Sequence, residues 1–227
     1  MTEAGPLRTV PLRGMRGMIA DKMLASLQGA AQLTHHAHAD VSTLLAVKTR
    51  LAQDGTRVSV EDLLMLALLR VLRRHSDLNG TLRDREVQLP ERIDLCVAIA
   101  LPGNLLAAPA IFGADTMSLD QLRAARQDLV ARARTNKLTV PEMTGGTFTL
   151  TNLGVSRVEQ FTPILNAPQI AILGIGCTVL TAVPDGDGVI FRPMMGLSLT
   201  FDHRAVDGAP AAAFLTDLCL EIEGFAA

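Results

Sequence analysis

The 227-residue sequence has no tryptophan and no tyrosine, and its 7 phenylalanines supply the whole 3% aromatic content. Single-strand nucleic-acid binders stack bases on aromatic rings, so that class lacks its platform here. Nor is there an excess of positive charge: 21 Lys and Arg stand against 23 Asp and Glu, a formal net charge of -2. A phosphate-binding surface needs the opposite balance. Cysteine is scarce too. Cys96, Cys177 and Cys219 are far apart, odd in number and set in apolar runs. They are expected to be reduced, buried thiols of a cytoplasmic protein, not a disulfide framework or a metal site.

Long uninterrupted apolar runs are missing. The charge-free stretch 95–114 is broken by Pro102, Gly103, Asn104 and Pro109, and the stretch 161–184 by Pro163, Asn166 and Pro168. Neither reaches the roughly 18 apolar residues of a membrane span. The N-terminus, Met1-Thr-Glu-Ala-Gly-Pro-Leu-Arg8, carries no basic-then-apolar signal pattern. Yet 48% of the residues are hydrophobic and the mean hydropathy is +0.29. A globule of this size has limited interior, so the surplus apolar surface predicts an oligomer.

Helix patterning is clearest after Ser59. Val60, Leu63, Leu64, Ala67, Leu68, Val71 and Leu72 form the stripe of a helix over 60–75, with Ser59 as cap and Asp62 three residues on. Ser118 and Gln121 repeat the arrangement ahead of a helix to Arg134, with Leu122, Leu129 and Val130 inward. Further helices are expected at 16–27, 43–52 and 210–222. Strands are expected at 33–41, 93–101, 147–152, 170–182, 189–191 and 196–201, rich in apolar or β-branched residues and bounded by Pro, Gly, Asp or Asn. Asp185-Gly186-Asp187-Gly188 is a turn between two of them, without the later ligands of a calcium loop. The class is α/β, a two-layer mixed sheet with helices on one face.

Three segments could carry chemistry. Phe201-Asp202-His203-Arg204-Ala205-Val206-Asp207-Gly208-Ala209 packs ionisable and turn-forming residues between a strand and an Ala-rich helix. His203 is the one residue of its half of the chain that ordinarily titrates near neutrality, and Asp207 is close enough in sequence to orient it. A solvated turn with a salt bridge fits the same residues. In Gly145–Gly154, Thr147, Thr149 and Thr151 alternate, so their hydroxyls share a face and could serve an oxyanion. β-Propensity alone also explains threonines in a strand. His36, His38 and Asp40 also share a strand face, but no fourth ligand or activating Glu accompanies them, so a polar cleft wall is expected and no metal. Gly174-Ile175-Gly176 lacks the rest of a dinucleotide fingerprint.

The segment Phe201–Ala209 resembles the signature of the catalytic domain of dihydrolipoamide acyltransferases, the E2 components of 2-oxo acid dehydrogenase complexes, in the chloramphenicol acetyltransferase-like superfamily. Gly145–Gly154, Phe161–Gly176, Arg192–Thr200 and Pro11–Ala20 resemble the family in the same order, so the likeness covers nearly the whole chain. It implies acyl transfer between coenzyme A and a dihydrolipoyl thiol, with His203 as general base and Thr151 as the hydroxyl that hydrogen-bonds the oxyanion. Asp207 would hold its turn through a salt bridge, with Arg16 or Arg204 as partner. Asn152 and Gly208 would support substrate or structure. The resemblance also implies a homotrimer with active sites between subunits, association with other subunits of a 2-oxo acid dehydrogenase complex, and no metal.

Residues 1–10 are expected to be an extension and 11–227 the catalytic domain. The lysines Lys22, Lys48 and Lys137 sit in no lipoyl-type hairpin, so the lipoyl group would come from another domain or chain. The chain ends at Glu223-Gly-Phe-Ala-Ala227, short of an apolar tail that would join trimers into a shell, and Pro102–Pro109 is less typical of the family. A non-catalytic scaffold that kept the fold, or an acyltransferase with a non-lipoyl acceptor, are the alternatives.

Overall fold

A computed structural model of the protein describes residues 7–103 and 105–226. Most of the expected extension (1–6), Asn104 of the atypical Pro102–Pro109 segment and Ala227 lie outside the described residues. The order of elements is α1 (Met15–Gly29), β1 (Gln32–Asp40), α2 (Ser42–Gln53), α3 (Val60–Arg74), β2 (Thr81–Arg83), β3 (Glu86–Gln88), β4 (Leu95–Val97), β5 (Ile99–Leu101), β6 (Leu105–Ala107), β7 (Ala110–Ile111), α4 (Leu119–Arg134), α5 (Val140–Thr144), β8 (Phe148–Asn152), β9 (Ala171–Asp185), β10 (Gly188–Asp202) and α6 (Gly208–Glu223).

Six strands form one mixed sheet in the order β1-β10-β9-β8-β4-β7. The pairs β8/β9 and β4/β8 are parallel, and the other three are antiparallel. Helix α6 packs on β1 and β10, and α3 packs on α6. This is the expected α/β layering. None of the described helices is long and apolar enough to cross a membrane.

The two strongest helix starts form as their local chemistry dictates. Ser59 Oγ accepts from the Asp62 amide at 3.1 Å, while Asp62 Oδ2 accepts from the Ser59 amide at 2.8 Å. Ser118 and Gln121 make the same reciprocal pair at α4. Each box satisfies amides that the first helical turn leaves without partners. Helix α3 is buried more completely than one stripe requires. Met65 and Leu69 join Leu63, Leu64, Ala67, Leu68, Val71 and Leu72 in the core, because α4 and α6 both cover it.

The strand segments expected at 170–182, 189–191 and 196–201 are parts of one ribbon. β9 and β10 each run 15 residues and turn through Asp185–Gly188. The root of this hairpin is buried and its outer half projects, leaving Leu180, Val189 and Phe191 exposed. Pro193 within β10 interrupts the apolar pattern, which is why the sequence reads as two short strands. The expected strand 93–101 divides into β4 and β5, which belong to different sheets.

Two glycines let the chain cross this ribbon. The segment around Glu159 lies on β9 and β10, and the Cys177 amide bonds to the Val158 carbonyl at 2.7 Å. A Cβ at Gly176 or at Gly196 would overlap the Glu159 carbonyl oxygen. Gly196 also falls in the register shift between Met195 and Leu197. Gly176→Ala and Gly196→Ala should each cost about 2–3 kcal/mol, as overpacking does. Ser59→Ala, which removes one capping bond, should cost about 1 kcal/mol. Thermal melting of the three variants checks the order.

Candidate active site

The sheet delivers His203 one residue beyond the end of β10. The Asp202 side chain, 4% exposed, shapes the turn that follows. Its carboxylate accepts from Arg204 Nη2 at 2.6 Å, from Arg204 Nε at 3.0 and 3.2 Å, and from the backbone amides of Ala31 and Arg204. Burial by itself would raise the Asp202 pKa. The Arg204 guanidinium and the two amides outweigh that and hold it below the usual carboxylate value. Arg204 is therefore committed to Asp202 and not to Asp207, correcting one of the two partners the sequence offered. A bidentate fork two residues away in the same turn outcompetes a more distant, exposed carboxylate.

Asp207 instead lies 3.7 Å from His203, Oδ1 to Nδ1. It is the cap residue of α6 but makes no side-chain cap bond. Both side chains are open to solvent in the single chain, His203 at 46% and Asp207 at 85% exposure. The His203 amide donates to Ala31 O at 2.8 Å, and its ring lies 5.9 Å from that of Phe201. Gly208 opens α6, beside the ring of His35. Arg16 Nη2 donates to Gly103 O at 2.8 Å, tying the start of α1 to the turn before β6.

Thr147, just before β8, and the alternating threonines of β8 fall into two settings. Thr147 donates to Asn79 Oδ1 at 2.6 Å, and Thr149 donates to Gln169 Oε1. Both hydroxyls are used inside the fold. The Thr151 hydroxyl has no hydrogen-bond partner among the described residues, and the residue is partly exposed. Asn152 faces the opposite side of the sheet, where Nδ2 donates to Glu61 Oε1 at 3.3 Å while Oδ1 accepts from the Gly154 amide at 2.8 Å.

The register separates Thr151 from His203. Thr151 lies opposite Gly174 of β9, and Gly174 lies opposite Ser198 of β10. His203 is five residues beyond Ser198. At about 3.3 Å per residue and about 4.8 Å per strand, the two sites are roughly 15–20 Å apart within one chain. A base and an oxyanion donor that serve one carbonyl must both sit within hydrogen-bond reach of the reacting atoms. One chain does not bring these two together.

His36, His38 and Asp40 are held by separate partners. His36 Nδ1 bonds Ser198 Oγ at 2.9 Å, His38 Nε2 lies 3.4 Å from Gln160 Nε2, and Asp40 pairs with Arg192 at 2.7 Å. Among the described residues no cluster of three potential ligands could hold a metal ion. Burial raises the Cys96 thiol pKa and pushes that of Cys219 up to about 11.

A mixed sheet backed by helices places the chain in a chloramphenicol acetyltransferase-like fold class. A chloramphenicol acetyltransferase superposes with TM-score 0.55 at 14% identity, covering 90% of this chain and 93% of the other, which shows the fold. Within that class the chain belongs to the 2-oxoacid dehydrogenases acyltransferase (catalytic domain) family, whose match runs over residues 4–226. It is 38% identical over 211 residues to the dihydrolipoyllysine-residue acetyltransferase component of the acetoin cleaving system of Bacillus subtilis, covering 91% of this chain and 53% of that protein. The corresponding component of the Schizosaccharomyces pombe pyruvate dehydrogenase complex is 35% identical over 94% of this chain and 45% of its own length. The chain thus spans about half the length of the curated relatives it matches. A probable dihydrolipoamide acetyltransferase from Listeria monocytogenes superposes with TM-score 0.91 at 28% identity, covering 98% and 97% of the two chains. The Azotobacter vinelandii dihydrolipoamide acetyltransferase gives TM-score 0.90 at 31% identity, covering 96% of this chain and 92% of that one. That structure addresses the catalytic roles of a serine, a histidine and an asparagine.

Replacing Asp202 by Ala should strip the His203 turn of its acceptor and lower stability by about 2 kcal/mol at pH 7. Because the folded pKa is depressed, this contribution is present above the unfolded value, near pH 4, and is lost as pH falls through the lower folded value. The melting temperatures of wild type and Asp202→Ala should therefore converge on acidification below about pH 4.

Proposed function

We propose that the chain is an acyltransferase core that moves an acyl group between coenzyme A and a dihydrolipoyl-type thiol, at a site shared by two copies of the chain. The separation of His203 from Thr151 along the sheet is the observation that carries this reading. His203 of one copy and Thr151 of the next would meet across the interface of a homotrimer. The spacings from serine to histidine and from histidine to asparagine in the Azotobacter relative equal those from Thr151 to His203 and from His203 to Asp207. The transfer of roles to these three residues rests on that match. Exposed Leu180, Val189, Phe191 and Val155 supply apolar surface for association.

The chemistry follows from the groups present. A thiol, ordinarily near pKa 8.5, is mostly protonated at neutral pH. The neutral His203 imidazole takes the S–H proton, and the thiolate attacks the thioester carbonyl carbon. The carbonyl π electrons move to oxygen, and the Thr151 hydroxyl donates to that oxyanion. When the tetrahedral intermediate collapses, the carbon–sulfur bond to coenzyme A breaks, and its thiolate takes the proton back from the imidazolium. Asp207, whose Oδ1 lies 3.7 Å from Nδ1, holds the turn on which the imidazole sits. The step needs no metal. The lipoyl arm would be supplied by another domain or chain, and other subunits of a 2-oxo acid dehydrogenase complex would be the partners. Three unpaired cysteines fit a cytoplasmic setting.

The test is to incubate the protein with acetyl-CoA and dihydrolipoamide and follow acyl transfer. His203→Ala should reduce kcat about 10²–10⁴-fold, and Thr151→Ala about 10²–10³-fold. Binding of complex subunits without transfer would indicate a scaffold. Transfer only to another thiol, amine or hydroxyl would indicate a different acceptor.

A further inference from the structure

The β8 strand ends on a contact that the mechanism has not used. Asn152, next to Thr151, points back into the helical layer and meets Glu61 in the first turn of α3. Glu61 is largely covered, with 21% of its side chain exposed. The nearby guanidinium of Arg126 does not neutralise it closely. Arg126 directs Nε to Asp62 Oδ1 at 2.6 Å and Nη2 to Asp62 Oδ2 at 3.1 Å, and reaches Glu61 only at 3.6 Å. Two covered carboxylates therefore share one cation, and burial raises the Glu61 pKa, with Arg126 and Asn152 opposing. Keeping such a group beside the sheet is costly unless it does something there.

We propose that Glu61 is a positioning residue for Thr151: by accepting from Asn152 it fixes the end of β8, and so sets where the Thr151 hydroxyl points. The contacts form a clamp. Asn152 Nδ2 is held by Glu61, and Asn152 Oδ1 holds the Gly154 amide. The Leu153 amide between them bonds Ile175 O at 2.9 Å. The Thr151 backbone is paired with Gly174 of β9, but its hydroxyl makes no hydrogen bond among the described residues, so its fine direction follows the strand end that Asn152 holds. The inference rests on Thr151 acting as the oxyanion donor.

The experiment compares Glu61→Ala, Glu61→Gln and Asn152→Ala, each with and without Thr151→Ala, using acetyl-CoA and dihydrolipoamide. Glu61→Ala should lower kcat about 10–100-fold, the scale of an ångström-sized misplacement, with KM for acetyl-CoA changed less than about twofold. Glu61→Gln keeps an acceptor oxygen and should stay within about threefold of wild type. In the Thr151→Ala background Glu61→Ala should cost nothing further, because the group it positions is gone. Amide hydrogen exchange at Leu153 and Gly154 should rise in Glu61→Ala and Asn152→Ala but not in Glu61→Gln. Asn152→Ala carries the test if Glu61→Ala fails to fold. An equal loss in both Thr151 backgrounds, a wild-type kcat in Glu61→Ala, or unchanged exchange would overturn the clamp. A wild-type protein without transferase activity would instead overturn the proposed function, and the exchange data would still decide whether Glu61 holds the strand.

Discussion

The register of one antiparallel hairpin against one parallel strand sets the terms for the rest of the molecule. β9 fixes both distances at once, pairing with β8 at Thr151 and with β10 at Ser198 through the same residue, Gly174. Backbone hydrogen bonds along these strands leave no freedom to slide, since a one-residue slip would turn every buried side chain outward. His203 and Thr151 are therefore kept at opposite levels of the sheet. The proposed reaction, which uses both, would therefore recruit a second chain and make assembly a condition of its chemistry.

The turn that carries His203 is built to be stiff underneath and open above. Asp202 is buried, ligated by Arg204 and by two amides, and held ionised. His203 and Asp207 face solvent in the single chain, where a neighbour can reach them. The β9–β10 ribbon follows the same division, with a buried root and an apolar outer half. Rigid support beneath exposed functional groups limits the reorganisation needed when a substrate or a second chain arrives.

Much of this was legible in the sequence, where the determining contacts are local. The capping boxes at Ser59 and Ser118 involve residues three apart, and both formed with the expected partners. The α/β layering followed from alternating helix and strand periods. The length of the ribbon was hidden because Pro193 and the turn residues break the apolar pattern of strands that pair well beyond the core. Arg204 could not be assigned from spacing, since the choice between Asp202 and Asp207 depends on which carboxylate the fold buries. Glu61 gave no signal at all. A first-turn acid is ordinary for a helix start, and its contact with Asn152 spans the gap between two layers. The His203 segment drew attention by its clustered ionisable residues and Thr151 only through the family resemblance, and their separation is a property of strand order, which no local pattern encodes.

Mixing inactive copies tests the proposed shared site most directly. His203→Ala and Thr151→Ala proteins, unfolded together in equal amounts and refolded, should recover acetyl transfer to about a quarter of the wild-type rate, the share of interfaces expected by random pairing to join an intact imidazole to an intact hydroxyl. A refolded, oligomeric mixture as inactive as its parents, or a fully active wild-type monomer, would contradict the account.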